Sequence, residues 1–142
     1  MFMAISEPLA RTPFGASIPA TAIRRQEEVE QFGDAIAELS ACIRAATYEL
    51  LVLIRKFEAS AGWNNGFLSV AHWLNWRTGL DLGAAREKVR VASALTTLPL
   101  LSAAMQRGQL SYSNVRALTR AATAENERSL LDFARCGTVA HV

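Results

Sequence analysis

The chain has little of the chemistry from which enzymes and secreted scaffolds are built. In 142 residues it carries two cysteines, Cys42 and Cys136, and two histidines, His72 and His141. Two thiols so far apart exclude a disulfide framework and offer no ligand spacing for a metal. They read as a pair of buried, reduced thiols. His72 and Glu87 each stand alone, and no group of histidine, cysteine or carboxylate has triad or ligand spacing. No catalytic residue, metal or cofactor is therefore expected, and the chain is not expected to be an enzyme by itself.

Other absences narrow the class. Three of the four prolines, Pro8, Pro13 and Pro19, lie in the first twenty residues. Residues 1–20 also lack hydrophobic periodicity, so they read as a flexible N-terminal arm. The longest apolar run, Leu50 to Ile54, is bounded by Glu49 and Arg55. It falls far short of the roughly 20 residues that a membrane span requires. The chain does not open on a basic stretch followed by an apolar run, as a secretory leader would. A soluble cytoplasmic protein is the expectation. Strand-type alternation is nearly missing as well, while alanine and leucine dominate, which points to an all-α fold. With 51% apolar residues and 20% charged ones of both signs, residues 21–142 should fold as a single α-helical domain.

What is present is unevenly distributed. Residues 24–60 hold five basic and seven acidic side chains. Residues 61–122 hold seven basic ones (Arg77, Arg86, Lys88, Arg90, Arg107, Arg116, Arg120) against Asp81 and Glu87, a local charge of +5. A phosphate-facing surface needs such an excess, and an ordinary solvated face can also carry it.

The spacing predicts a long helix over residues 21–60. Val29, Phe32, Ile36, Leu39, Ile43, Ala46, Leu50, Leu53, Ile54 and Phe57 recur at steps of three and four. That row suits either a core stripe or a coiled-coil seam, so a homodimer through helix 21–60 is one reading. Gly33 should mark a kink or a close approach. Gly62 and Asn64-Asn65-Gly66 then break the chain. Trp63 and Phe67 flank that turn, and the tryptophans read as core anchors more than as base-stacking groups. Ser69 caps a short helix ending at Gly79, and Asp81 caps the next, through about Thr97. Two helices joined by a short glycine-containing turn make a helix–turn–helix pattern over about 69–97. Further helices are expected over about 98–107, 111–123 and 125–136, the last ending at Gly137. The fold is thus a long N-terminal helix followed by a helix–turn–helix-containing bundle of about five shorter helices.

On a helical wheel for the second helix of that pair, Ala84, Ala85, Val89, Val91, Ala92 and Leu95 share one arc. Arg86, Arg90, Ser93 and Thr97 fall opposite, at i, i+4, i+7 and i+11. Such a row is what a recognition helix offers the major groove, because arginine can take guanine O6 and N7 together. Arg77, Arg107, Arg116 and Arg120 are the candidates for phosphate contacts. Lys88 falls inside the apolar arc, where its stem has to snorkel.

The ordered series GW…G-x-x-S-V-A-x-W-L…R-T-G-L…A-R-E-x-V-R-V-A-x-A-L…L-P…G-x-L-S, over roughly residues 25–140, resembles the N-terminal domain of the actinobacterial 13E12-repeat family, domain-of-unknown-function family 222. In that family the domain commonly precedes an HNH endonuclease domain. His72 and His141 do not form an HNH motif, so the resemblance implies an accessory part, a truncated copy or an excised piece of such a mobile-element protein. Leu98-Pro99, Gly108-Gln109-Leu110-Ser111 and Arg116 are also similar to the helix–turn–helix region of plasmid-partition ParB-like proteins, where an alanine stands in place of Asn75. The function expected is a DNA-binding accessory module with double-stranded DNA as partner. The alternative is a helical interaction or dimerisation domain that does not touch DNA.

Overall fold

A computed structural model describes residues 17–139, which are all-α with no strand among them. The arm expected over 1–20 lies, as far as residue 16, outside the described residues, and so does His141. Six α-helices follow one another: α1 (Ala20–Ala59), α2 (Val70–Thr78), α3 (Leu82–Ala94), α4 (Pro99–Gln106), α5 (Tyr112–Leu118) and α6 (Glu127–Val139). Short 3-10 turns occupy Ala61–Asn64 and Leu95–Thr97. None of these helices is long and apolar enough to cross a membrane. The chain divides into two units, one up to Ser40 and one from Ala41 onward.

In the first unit, α1 begins directly after Pro19, whose carbonyl accepts from the amides of Ala22 and Ile23. None of residues 17–40 is buried. The helix continues through Gly33, and a Cβ placed on that residue would meet nothing within 4 Å. The expected close approach is therefore not found within the chain.

The second unit holds the core. Leu51, Val91, Leu101, Met105, Leu110 and Val115 are its largest fully buried side chains. At roughly 1.5–3 kcal/mol for each such side chain removed from water, this cluster is the main source of stability. Local chemistry sets the helix ends. Ser69 Oγ accepts from the His72 amide and starts α2. Gly79 ends it in the left-handed region at φ 78°, with its amide on the Asn75 carbonyl. Leu80 packs against the core, and the Asp81 carboxylate accepts from the amides of Gly83 and Ala84 to start α3. Pro99 opens α4, where a proline costs no hydrogen bond. A buried carboxylate completes that end: Glu127 of α6, 3% exposed, accepts the Leu101 amide at 2.8 Å.

Several expectations need correction. α5 stops at Leu118, not near 123, because the amides of Arg120 and Ala121 turn back three residues to Ala117 and Leu118. Thr123 and Asn126 then cap each other's amides, which delays the start of α6 to Glu127. α6 runs through Gly137 to Val139. Both cysteines are exposed, not buried, since each faces outward from its helix. Of the tryptophans, Trp63 and Trp73 pack on the core, whereas Trp76 is 67% exposed and lies beside the Phe67 ring, with 5.4 Å between ring centres.

Candidate nucleic-acid interface

α2 and α3 are joined by the three residues Gly79-Leu80-Asp81, and their inner faces close on Val70, Ala71, Leu74, Ala85, Val91 and Ala92. Of the arc that the sequence marks out on α3, Ala85, Val91 and Ala92 are buried, Val89 is half-buried and Ala84 stays exposed, while Leu95 is buried just past the helix end. The opposite face carries Arg86 and Ser93, both exposed. Thr97 does not continue the row along the helix. α3 ends at Ala94, and Thr97 sits in the following 3-10 turn with its hydroxyl donating to the Ala94 carbonyl at 3.2 Å.

Arg90 has a different environment from Arg86. It is half-buried and points toward α5, donating from Nε to Glu87 at 2.8 Å. Its Nη2 donates to the Arg116 carbonyl at 3.1 Å and its Nη1 to the Thr119 hydroxyl at 3.3 Å. Arg116 donates to Glu87 from Nε at 2.8 Å, and Arg120 reaches the same carboxylate through Nη2. One carboxylate thus gathers three guanidinium groups from α3 and the α5 end. Glu87 is the hub of this cluster, although it stands alone in the sequence. The hydrogen bonds from Arg90 and Arg116 lower its pKa from 4.5 to about 2. The arginines keep free donors: the side chains of Arg116 and Arg120 are 50% and 58% exposed, and with Ser113 and Ala117 they line an open cleft of about 250 Å³.

Lys88 adds a fourth cation beside this cluster. Its stem lies in the apolar arc, and its ammonium sits 3.7 Å from the centre of the Tyr112 ring. Burial pulls its pKa below the ordinary lysine range, and the positive charge of Arg116 acts in the same direction. Burial likewise raises the Tyr112 phenol. Lys88, Tyr112, Glu87 and Arg116 line a second cleft of about 250 Å³.

The remaining candidates lie apart. Arg77 stands exposed in the last turn of α2, and Arg107 is exposed where α4 ends. Among the described residues neither of these, nor Arg86, forms an ion pair. Ser93 shares a cleft of about 400 Å³ with Arg55, Lys56, Glu58 and Thr96. Arg55 and Lys56, from the last turns of α1, are cations near the α3 row that the wheel did not include. The Glu87–Arg90 step of three was readable as a helical pair. The approach of Arg116 and Arg120 was not, because it depends on how α5 packs on α3.

No curated protein and no solved structure matches the chain, and no match bears on the plasmid-partition likeness. A family model does match, over residues 29–135, which takes in most of α1 and the helices through most of α6. Its description is "Domain of unknown function (DUF222)", and the motifs around Trp73, Arg86 and Leu98 fall inside the matched range. The chain belongs to this family, as the spaced motifs of its sequence lead one to expect.

Proposed function

We propose that this protein is a double-stranded DNA-binding module, with α2–α3 acting as a helix–turn–helix and α3 entering the major groove. The observation that carries the reading is the cluster around Glu87. It orders Arg90, Arg116 and Arg120 on one surface, where the two outer guanidiniums retain donors for phosphate oxygens. In this reading Arg86 and Ser93 face bases. Arg90 acts mainly by holding α3 against α5, and Thr97 stands at the edge of the row. Arg77, Arg107, Arg116 and Arg120 contact phosphates, and Arg55 and Lys56 support Ser93. The module binds and does no chemistry of its own, and it works in the cytoplasm as the accessory part of an HNH-endonuclease-associated mobile-element protein.

Binding is tested by titrating the protein into labelled duplex DNA over a series of salt concentrations. The logarithm of the association constant should fall linearly with the logarithm of salt, with a slope of about −0.9 for each phosphate contacted. Arg116→Ala with Arg120→Ala should flatten that slope by roughly two contacts. Undetectable binding to duplex DNA at low salt would sink the proposal.

A second reading, in which α1 pairs with another helix to make a homodimer through residues 21–60, is favoured by a separate observation. Val29, Phe32, Ile36, Leu39 and Ile43, large apolar side chains at a coiled-coil spacing, are between 58% and 67% exposed. An isolated helix of this kind is marginal in water without a packed face.

A further inference from the structure

The apolar row on α1 is regular. Positions 29, 32, 36, 39, 43, 46, 50, 53 and 57 alternate steps of three and four over four heptads. The positions that flank this row in its middle are small and uncharged: Gly33, Ala35, Ser40, Cys42 and Thr47. Charged side chains such as Glu30, Asp34, Glu38 and Arg44 fall on the other faces. In the unit from Ala41 onward the row ends in an open apolar cleft of about 530 Å³. Leu50, Leu53 and Phe57 of α1 form one wall, and Trp73 and Leu74 of α2 form the other.

We propose that this cleft receives the N-terminal half of α1 from a second copy, lying antiparallel on the first, so that a two-fold pair buries both rows. The proposal rests on the reading that α1 pairs with a helix, and it adds the partner, the direction and the seat. Charge selects the direction. Residues 17–40 carry five acidic and two basic side chains, whereas residues 41–59 carry Arg44, Arg55 and Lys56 against Glu49 and Glu58. An antiparallel pair sets the acidic half on the basic half, while a parallel pair sets acid on acid.

The heptad positions then fix a register. Val29 meets Leu53 of the second copy, Phe32 meets Leu50, Ile36 meets the small Ala46, and Leu39 meets Ile43. In the same register Glu28 stands opposite Lys56 of the second copy, and Cys42 stands beside its own counterpart. Gly33 faces open space within the chain, and a closely packed second helix would make use of its missing side chain. Five large side chains offering roughly 100 Å² each from either copy give about 1,000 Å² in all, the lower bound for a specific interface. Because the face is self-complementary, the contact closes at two copies.

The test uses the full chain carrying Cys136→Ser, so that Cys42 is the sole thiol. Light scattering over a dilution series should give twice the mass of one chain, and a mild oxidant should convert the pair to a Cys42–Cys42 disulfide. Phe32→Asp and, separately, Leu53→Glu should each return the mass to that of one chain and abolish cross-linking, with helical circular dichroism showing that the core stays folded. A double-mass species that cross-links only through Leu39→Cys, in a chain lacking both native thiols, would overturn the antiparallel seat and leave helix pairing standing. Single-chain mass throughout, or a pair indifferent to both substitutions, would overturn pairing through α1 as well.

Discussion

The two units use the same apolar spacing for different ends. Up to Ser40, Val29, Phe32, Ile36 and Leu39 repeat at steps of three and four, and every one is exposed. From Ala41 onward, Leu51 and Ile54 of the same helix are 1% and 3% exposed, packed among side chains of the helices that follow. Periodicity therefore specifies that a helix has an apolar face. Whether that face is covered depends on what the rest of the chain brings to it. The sharpest way to break the comparison is substitution in both units. Leu101→Ala, at a site with no exposure, should cost roughly 2–5 kcal/mol by transfer and cavity terms. Ile36→Ala, measured in dilute protein, should change unfolding by no more than about 0.5 kcal/mol. Urea melts monitored by circular dichroism compare the two directly. Equal losses would mean that residues up to Ser40 are packed against something within a single chain.

Glu127 sharpens the same contrast for polar groups. Most carboxylates in residues 17–40 are solvated, whereas Glu127 is almost fully buried and serves one backbone donor, the Leu101 amide. Glu127→Ala leaves that amide without a partner and should cost about 1–3 kcal/mol. Glu127→Gln keeps an acceptor of the same shape and should recover part of the loss. A urea midpoint that the alanine variant leaves unchanged would show that water takes over the cap.

Much of the fold was legible because it rests on local signals. Ser69, Gly79, Asp81, Pro99 and Ser111 each mark a helix end through chemistry that acts over two to four residues. The end of α5 and the start of α6 were misread because Arg120, Ala121, Ala122 and Ala124 carry helical propensity through 119–124. There, three-residue turns and the mutual Thr123–Asn126 caps compete with the helix and win. The candidate site was legible in its exposed arginines and obscure in its organisation. A wheel assigns Arg90 to the same face as Arg86, yet a step of 100° per residue says nothing about which helix lies beside that face. Arg90 is drawn to the Arg116 carbonyl, a partner 26 residues away, while Arg86 has no such neighbour. Lys88 looked misplaced on the wheel because the ring that receives its ammonium, Tyr112, belongs to another helix.

This difference between the two arginines can itself be tested. Arg90→Ala removes the hydrogen bonds to three partners, Glu87 within α3 and Thr119 and Arg116 across to the α5 end, and should cost about 1 kcal/mol of stability. Arg86→Ala should leave stability within about 0.5 kcal/mol and, if α3 reads DNA, weaken binding by about tenfold or more. Thermal melts and duplex titrations on the same two variants separate a positioning arginine from a contacting one. A reversed outcome, with Arg86 supporting the fold and Arg90 indifferent to it, would mean that α3 is rotated so that Arg86 and not Arg90 faces α5.

The smallest effect expected is the dependence of the Glu87 cluster on pH. The folded-state pKa of Glu87 is about 2, below the ordinary 4.5, because Arg90 and Arg116 bond its ionised form. A group lowered on folding contributes stability that is fully present above 4.5 and is lost as the pH falls through the folded value. Glu87→Gln has no proton to take up at this position. The gap in stability between the wild-type chain and Glu87→Gln should therefore be constant from neutral pH to about 5, and should narrow steadily between 4.5 and 2. Added salt should shrink the gap at every pH, since the outer guanidiniums are half-exposed and screened. A gap that does not change down to pH 2 would show that the carboxylate shape, and not its charge, organises Arg90, Arg116 and Arg120. The arginine-bearing surface would then owe its order to packing alone.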